Sequence, residues 1–337
     1  MLRQDINSTA QVDVAIIQHL LEFCESRGIN TTPVWQLLKL NPAQPLPSWV
    51  VASRLSDVYL FLQQQGIEYS QMLAAGEYIA KQDLSIMRIL RYGDCLENVL
   101  PLCCRFSHFV VGRVTFDIVT GQDEVRLNLI SAVSENTFHY AALLVISGLY
   151  FVCRDVLDET GTPGKLTLYV PQNIHHDIDF SIFPGMKVLC ADSFSLGISG
   201  TDWQRNNPFQ QAESYRYELR QLEKGHHKFN EYLAIYGELK SVLQTYLPDR
   251  QLTQEYVAER LGISVRNLQR RLKALGTNYQ NLLDETRHSL SLLLLQHEEI
   301  PLYEVAYKVG YNEPSAFYKA FKRWTGMTPG DYRLANQ

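Results

Sequence analysis

A pattern that occurs twice near the C-terminal end constrains the fold of this chain more than any other feature. Residues 257–273 and 305–322 align with one inserted residue. The aligned pairs are Val257 with Val305, Ala258 with Ala306, Arg260 with Lys308, Gly262 with Gly310, Leu268 with Phe317, Arg270 with Lys319, Leu272 with Phe321 and Lys273 with Lys322. Each copy reads as a short apolar helix, a glycine and a second helix with basic residues on its outer face. This layout predicts two helix-turn-helix units in an all-α region.

The second helix of each copy combines an apolar face with a polar outer face. Ser264 and Asn312 are expected to cap these two helices, with Pro314 in the first turn of the later one and Gly276 ending the earlier one. The outer faces carry the candidate DNA-binding residues Arg266, Gln269, Arg270 and Lys273 in the first copy and Ser315, Tyr318 and Lys319 in the second. Arg can pair with guanine and Gln with adenine, so the first set suits base recognition. The alternative is the solvated basic face of an ordinary helical bundle.

The segment between the two copies reads as one long helix that starts from a capping box at residues 277–280. Its later part, residues 290–295, is apolar on nearly all sides, which suits a helix buried between two subdomains.

Charge is distributed unevenly along the chain. The net charge is −5 over 337 residues. Residues 250–337 hold twelve Lys and Arg against nine Asp and Glu, which gives +3, whereas residues 1–249 hold nineteen against twenty-seven, which gives −8. A basic segment attached to an acidic one is expected when only one end of the molecule meets phosphates.

The upstream region predicts an α+β fold around a small sheet, so the fold class is an α+β N-terminal domain followed by an all-α C-terminal domain. Apolar spacing predicts helices at 16–27, 47–65, 84–91, 94–106 and 135–157, and strands at 110–119, 124–130, 165–170 and 187–195. A polar stretch at 201–212 marks a domain boundary. We therefore divide the chain into an effector-sensing and dimerisation domain at 1–212, a helical linker at 213–249 and a DNA-binding domain at 250–337.

Motifs of enzymes and metal sites are missing from the sequence. It contains no GxSxG, HExxH, P-loop or GxGxxG pattern, so we expect no enzyme activity, no cofactor and no metal. The six cysteines precede residue 191 without metal-ligand spacing, and they read as small buried residues of a reducing cytosol, or alternatively as redox-sensing thiols. The N-terminus lacks the apolar core of a signal peptide, and no uninterrupted apolar run reaches the ~18–20 residues of a membrane span. A cytoplasmic protein is expected.

Residues 250–335 resemble the DNA-binding domain of the AraC/XylS family of transcription regulators. The resemblance is carried by Ala258, Gly262, Ser264, Leu268, Arg270, Gly276, Arg287, Ile300, Val305, Ala306, Gly310, Tyr311, Ser315, Ala316, Phe317, Phe321, Lys322, Gly326, Pro329, Tyr332 and Arg333. It implies that Arg266, Gln269 and Arg270 read bases in one helix, and Ser315, Tyr318 and Lys319 in the other. One departure is Ser291-Leu292-Leu293, where the family usually has a small residue followed by two polar ones.

The region upstream is similar, more weakly, to the arabinose-binding type of effector domain that accompanies this module. The similar patches are Arg91-Tyr92 and residues 188–195, and they assign no ligand residue. The similarity implies a transcription regulator controlled by a small molecule, with double-stranded DNA and RNA polymerase as partners. Two alternatives are a constitutive or protein-controlled DNA binder whose N-terminal domain only dimerises, and an enzyme with an appended DNA-binding domain. Activation and repression both stay open.

A homodimer is expected, either in solution or on DNA. Its contact is placed upstream of residue 250, on apolar and aromatic residues of 214–246 that a solvated linker would not need: Tyr215, Leu219, Leu222, Phe229, Leu233 and Tyr236. The rival contact is the apolar run 290–295.

Overall fold

A computed structural model describes residues 11–51, 54–110, 114–131, 136–158, 164–249, 252–274 and 277–335. The chain divides into two compact units, Met1–Phe229 and Asn230–Gln337. The first unit contains helices and β-sheet, and the described part of the second is helical throughout. The predicted fold class is therefore confirmed.

The first unit contains a five-stranded sheet that begins with a hairpin. In chain order its strands are β3 (Val114–Thr120), β4 (Glu124–Ser131), β5 (Leu166–Pro171), β6 (Lys187–Ala191) and β7 (Ser195–Ser199). Their spatial order is β3-β4-β7-β5-β6, and only the β5–β6 pair is parallel. A separate two-stranded sheet pairs β1 (Gln11–Asp13) with β2 (Trp49–Val51).

Helices of the first unit pack on the apolar side of this sheet. In chain order they are α1 (Val14–Ser26), α2 (Thr32–Leu37), α3 (Leu55–Gln64), α4 (Tyr69–Ala80), α5 (Ser85–Tyr92), α6 (Leu96–Val110), α7 (Asn136–Asp158), α8 (Gln172–His175) and α9 (Gly200–Trp203). Leu127 of β4 and Leu196 of β7 are fully buried beneath the helices. Burial of these side chains supplies the main stabilising free energy of the unit.

Helix α7 occupies the centre of the first unit. Its segment Phe138–Asp158 has a mean hydropathy of 1.6 over its most apolar window and is long enough to cross a membrane, but 78% of that window is buried inside the protein. Ala142, Leu143, Ile146 and Cys153 all have no exposed surface. It is therefore a core helix that is apolar on most of its sides because neighbours surround it.

The structure corrects several boundaries expected from the sequence. Residues 47–65 are not one helix: Trp49–Val51 form a strand that pairs with β1, and the helix begins at Leu55. Helix α6 extends to Val110, where a strand was expected. Residues 187–195 also divide between two strands, β6 and β7. A short apolar run fits the periodicity of a helix and that of a strand. Whether it forms a strand therefore depends on the presence of another strand with which it can pair.

The polar stretch expected as a domain boundary packs closely on the first unit. The Asn207 side chain is 3% exposed and donates to the carbonyl oxygens of Arg91 and Gly93 at 2.7 and 2.9 Å. The next helix, α10 (Ala212–Tyr246), continues without a break past the division at Phe229. The polar composition predicted a loop here. Hydrogen bonds, which the sequence pattern does not reveal, attach this loop to the first unit.

Helix α10 uses most of its apolar residues within the chain itself. Leu222 and Phe229 are 4% and 1% exposed in the first unit, and Tyr236 is 2% exposed in the second. These three side chains are therefore not available for the dimer contact in which the sequence analysis placed them. The Leu233 side chain lies outside the described residues. The dimer prediction itself remains open.

The second unit continues from α10 through a short 3-10 turn at Leu247–Asp249. Its remaining helices are α11 (Gln254–Arg260), α12 (Val265–Ala274), α13 (Tyr279–Leu295), α14 (Leu302–Lys308), α15 (Pro314–Thr325) and α16 (Pro329–Ala335). Helices α11 and α12 form the first predicted helix-turn-helix unit, and α14 and α15 form the second. Gly276, expected to end α12, lies outside the described residues.

Candidate DNA-binding surface and N-terminal cavity

The first helix-turn-helix unit is held by one capping threonine, one capping serine and an apolar core. Thr253 Oγ1 accepts from the Tyr256 amide and Ser264 Oγ accepts from the Asn267 amide, both at 3.2 Å, and the second bond is the capping role expected of Ser264. Leu268 and Leu272 are 0% and 2% exposed. They pack with Tyr236, Leu239 and Leu243 from the end of α10 and with Leu247 of the 3-10 turn that follows it. The segment expected to act as a linker thus contributes to the core of the DNA-binding unit.

The predicted base-reading residues of α12 all lie on its exposed side. Arg266, Gln269, Arg270 and Lys273 are exposed, whereas Leu268 and Leu272 between them are buried. Gln269 Nε2 donates to Gln254 Oε1 of α11 at 3.1 Å, and Arg270 contacts Asn267 Oδ1 at 3.3 Å. Arg271 lies apart from this set and reaches Glu238 of α10 at 3.4 Å. Most of the basic side chains of α12 therefore remain free to approach an anionic partner.

The second helix-turn-helix unit uses an aromatic core. Phe317 and Phe321 of α15 have no exposed surface, and their rings lie 5.7 Å apart. Tyr311, Trp324 and Tyr332 pack around them. Ser315, Tyr318 and Lys319 lie on the exposed side, with 37% of Tyr318 accessible. The two candidate surfaces are therefore built in the same way from different core residues.

Two of the expected caps are wrong. The N-cap of α15 is Glu313, not Asn312; its side chain makes no capping hydrogen bond, and Pro314 occupies the first turn. Asn278, not Thr277, caps α13 by accepting from the Asn281 amide at 2.9 Å. In both cases neighbouring residues could fill the capping role, so spacing alone placed the cap one residue away.

Helix α13 belongs to the cores of both helix-turn-helix units. Leu282 and Leu283 pack in the first core, Leu295 packs in the second, and Leu290 touches both. Ser291 is buried and donates to the His288 carbonyl oxygen at 2.7 Å, whereas Leu293 is 45% exposed. The expected central position of this helix is thus observed, and the departure from the family pattern leaves one leucine at the surface.

Arg287 connects α13 to the second helix-turn-helix turn. Its guanidinium donates to the Gly310 carbonyl oxygen at 2.9 Å and lies 4.5 Å from the centre of the Tyr311 ring. Burial raises the pKa of Tyr311, so the phenol stays neutral at physiological pH. A cation on an aromatic face and a charge-assisted hydrogen bond together fix the turn that precedes α15.

The glycines in the two turns share a conformation but not their surroundings. Gly262 and Gly310 have φ values of 63° and 81°, in the left-handed region that favours glycine. Nothing lies within 4 Å of the position where a Cβ would stand at Gly262, whereas at Gly310 a Cβ would overlap the carbonyl oxygen of Leu247. The second turn is therefore packed against the 3-10 turn that follows α10, and the first is open.

Comparison with known proteins agrees with this geometry. A helix-turn-helix domain model matches residues 257–335. The ornithine utilization regulator of Pseudomonas aeruginosa is 47% identical over 81 residues, which span 24% of each chain. The HTH-type transcriptional regulator VqsM of the same species is 23% identical over 294 residues, 83% of this chain and 89% of that one. The transcriptional regulator CdpR from P. aeruginosa aligns with 94% of this chain and 97% of its own at 21% identity, with a TM-score of 0.44.

Two helix-turn-helix units joined by a shared helix define a DNA-binding domain. The domain match covers this region, and the ornithine utilization regulator is 47% identical over a stretch of similar length, 81 residues. Residues 257–335 therefore form a DNA-binding domain of the AraC/XylS family of transcription regulators, as the sequence resemblance predicted. The match to the ornithine utilization regulator spans only about a quarter of that protein.

The first unit contains an apolar cavity that sequence reasoning did not find. It measures about 60 Å³ and lies between the helices and the sheet. Its walls come from α1, α4, α5, α6, α7, β3 and β4, and include Ile16, Met87, Cys103, Cys104, Leu127 and Gly148. These residues are spread over the sequence from 16 to 149, so no local pattern could have indicated the cavity.

The polar groups in the cavity wall are uncharged. Burial raises the pKa of the Cys104 thiol to about 11 and holds the pKa of the Cys103 thiol well above its usual range, so both stay protonated. The Ser107 hydroxyl donates to the Cys104 carbonyl oxygen at 2.8 Å. All six cysteines are free: Cys24, Cys103 and Cys153 are buried as expected, and Cys190 is exposed.

Proposed function

We propose that the whole chain is a sequence-specific transcription regulator whose DNA binding is controlled by a small molecule in the N-terminal domain. The observation that carries the proposal is the pair of helix-turn-helix units, each with a buried apolar face and an exposed polar face. In this assignment residues 1–212 sense the effector, 213–249 connect the domains and 250–337 bind DNA. The apolar cavity supports the effector role, because folded cores are usually close-packed.

The exposed residues of α12 and α15 have separate proposed roles. Arg266, Gln269 and Arg270 present guanidinium and amide groups that can pair with base edges in a major groove. Ser315 and Tyr318 supply hydroxyl groups to base edges. The resemblance implies base reading by Lys319 as well, but its ammonium is a point charge, so we assign Lys319, together with Lys273, to phosphates. The two helices contact successive stretches of one operator. Because the positive net charge of the domain is small, its affinity for DNA depends on how many phosphate contacts it makes.

Assembly and partners follow from this role. A homodimer doubles the phosphate contacts available to a weakly basic domain. RNA polymerase is the partner through which a bound regulator changes transcription, and the cytoplasm is the compartment in which both meet DNA. Both of these relatives, the ornithine utilization regulator and VqsM, are named as regulators, and we propose no catalytic role for this chain.

The alternative is a DNA-binding regulator that is constitutive or controlled by a protein partner. Its N-terminal unit would serve assembly only. The cavity favours control by a small molecule, since a unit used only for assembly gains nothing from unfilled apolar space.

The test selects DNA fragments from a random pool with the full-length chain and measures affinity by fluorescence anisotropy at fixed salt. We expect one enriched sequence motif with two recognition segments, bound at least about a hundredfold more tightly than scrambled DNA. Equal affinity for selected and scrambled DNA would contradict the proposal. The matched variant controls are Arg271→Ala and Lys308→Ala, which alter cations that pair with Glu238 and Glu304 and are not among the candidate DNA-binding residues.

A further inference from the structure

The apolar cavity of the first unit adjoins a second, more polar pocket. Ile16 of α1 and Ile86 of α5 line both spaces. The second pocket measures about 280 Å³, and its other walls include Asp13, Asp83, Ser85, Gln221 and Leu222. An apolar space and a polar space that share two wall residues suit one molecule with an apolar end and a polar end.

The polar pocket is acidic. Asp13 Oδ1 accepts from the Ala15 amide at 2.9 Å, and burial raises the pKa of this carboxyl group. Asp83 lies on the other side and forms an ion pair with Arg88 at 2.7 Å. Arg88 also pairs with the buried Glu218 at 2.8 Å, so two carboxylates, those of Asp83 and Glu218, hold its guanidinium. A ligand with an anionic head would be repelled here, whereas a cationic or hydroxyl head would be accepted.

We propose that the first unit binds a small amphipathic molecule whose alkyl tail fills the apolar cavity and whose cationic or hydroxyl head lies in the pocket between Asp13 and Asp83. The proposal names the effector class and thus rests on the proposed small-molecule control. The tail gains free energy by leaving water, and it meets only uncharged groups. The head replaces its water contacts by hydrogen bonds to carboxylate oxygens.

The head pocket also provides a route to helix α10. Gln221 and Leu222 of this helix form part of the pocket wall, and Glu218 lies one turn earlier. A head that binds Asp83 competes with Arg88 for its carboxylate and so changes the Asp83–Arg88–Glu218 network. Because α10 continues into the second unit, occupancy of the pocket can alter the helix that contributes to the first helix-turn-helix core.

The test uses propylamine, 1-propanol and propanoate, which carry three different heads on one short tail that suits a cavity of about 60 Å³. Binding to the full-length chain is measured by calorimetry, without DNA. We expect saturable binding of the amine and the alcohol, and at least about fivefold weaker binding of propanoate because of its charge. Equal binding of propanoate, or no binding of the amine and the alcohol, would overturn the inference.

Two variants distinguish the contribution of the ligand's tail to binding from that of its head. Gly148→Ala adds a methyl group to the cavity wall in ordinary contact with Gly76 O and Met87 Cε, at 3.6 and 3.8 Å, so the fold should persist. It should weaken all probes about equally. Asp13→Asn keeps an acceptor for the Ala15 amide and should reduce the preference for the amine over the alcohol. The matched control Asp192→Asn changes an exposed carboxylate elsewhere and should leave both affinities unchanged.

These results remain distinct from a failure of the proposed function. Binding of the selected DNA is measured on the same preparation without probe. If DNA binding is specific and neither amine nor alcohol binds, only the ligand inference is wrong. If the probes bind as expected and DNA binding is not specific, the cavity assignment stands and the proposed regulator function is wrong.

Discussion

The two helix-turn-helix units show how one architecture is built from different side chains. The first packs Leu268 and Leu272 against α10, whereas the second packs Phe317 and Phe321 against further aromatic rings. The first turn is open at Gly262, and the second is pressed against Leu247 at Gly310. The helix pair is therefore defined by which faces are buried and by the left-handed turn, while the identity of the core residues can vary with the volume to be filled.

The largest expected effect concerns the cores. Phe317→Ala should lower the free energy of unfolding by about 3–5 kcal/mol, and Leu268→Ala by about 2–5 kcal/mol, because both remove fully buried groups and leave cavities. Hydrogen exchange of residues 230–337 in the full-length chain measures the loss. The exposed Ser315→Ala is the control and should change it by less than about 0.5 kcal/mol. Wild-type exchange in Phe317→Ala would show that the two faces of α15 have been assigned in reverse.

The turns provide the next comparison. Gly262→Ala should cost about 1–2 kcal/mol, since an L-residue is strained in the left-handed region. Gly310→Ala should cost clearly more, because its methyl group also overlaps the Leu247 carbonyl oxygen. Thermal unfolding of the two variants compares them directly. Equal losses would mean that the contact with Leu247 is not present in solution.

DNA affinity provides the third comparison. Arg270→Ala should weaken binding of the selected DNA by about 1–3 kcal/mol and relax specificity at one base pair, as expected for a base-reading arginine. Lys319→Ala should weaken binding more evenly across sequences and lower the salt dependence by about one phosphate contact. Anisotropy titrations over a range of salt concentrations distinguish the two roles. Unchanged affinity in both variants, beside unchanged Arg271→Ala and Lys308→Ala controls, would remove these residues from the DNA surface.

The smallest expected effect concerns the caps. Ser264→Ala should cost about 1 kcal/mol, because it removes the hydrogen bond from the Asn267 amide at the start of α12. Glu313→Ala should cost less than about 0.5 kcal/mol, since its side chain makes no capping bond. Chemical unfolding at several urea concentrations resolves a difference of this size. A larger loss in Glu313→Ala would show that its carboxylate stabilises α15 through the helix dipole instead.

The accuracy of the sequence predictions differed between the two units. In the second unit the helical spacing of Leu268, Leu272, Phe317 and Phe321 identified the buried faces correctly. In the first unit the same approach merged β2 with α3 and did not identify α4. Apolar residues on both sides of an element remove the periodic contrast on which such predictions depend. The candidate DNA-binding residues could be named because they lie on the helix face opposite to the buried core residues.

The sequence by itself determined the repeated helix pair, its glycine turns, the Ser264 cap and the uneven charge, because each depends on residues close together in the chain. Only the tertiary structure decided that the end of α10 joins the first helix-turn-helix core and that Gly310 meets Leu247. It alone also brought Ile16, Ile86 and Gln221 to one pocket. Contacts between distant residues depend on how whole elements pack, and local periodicity carries no information about that packing.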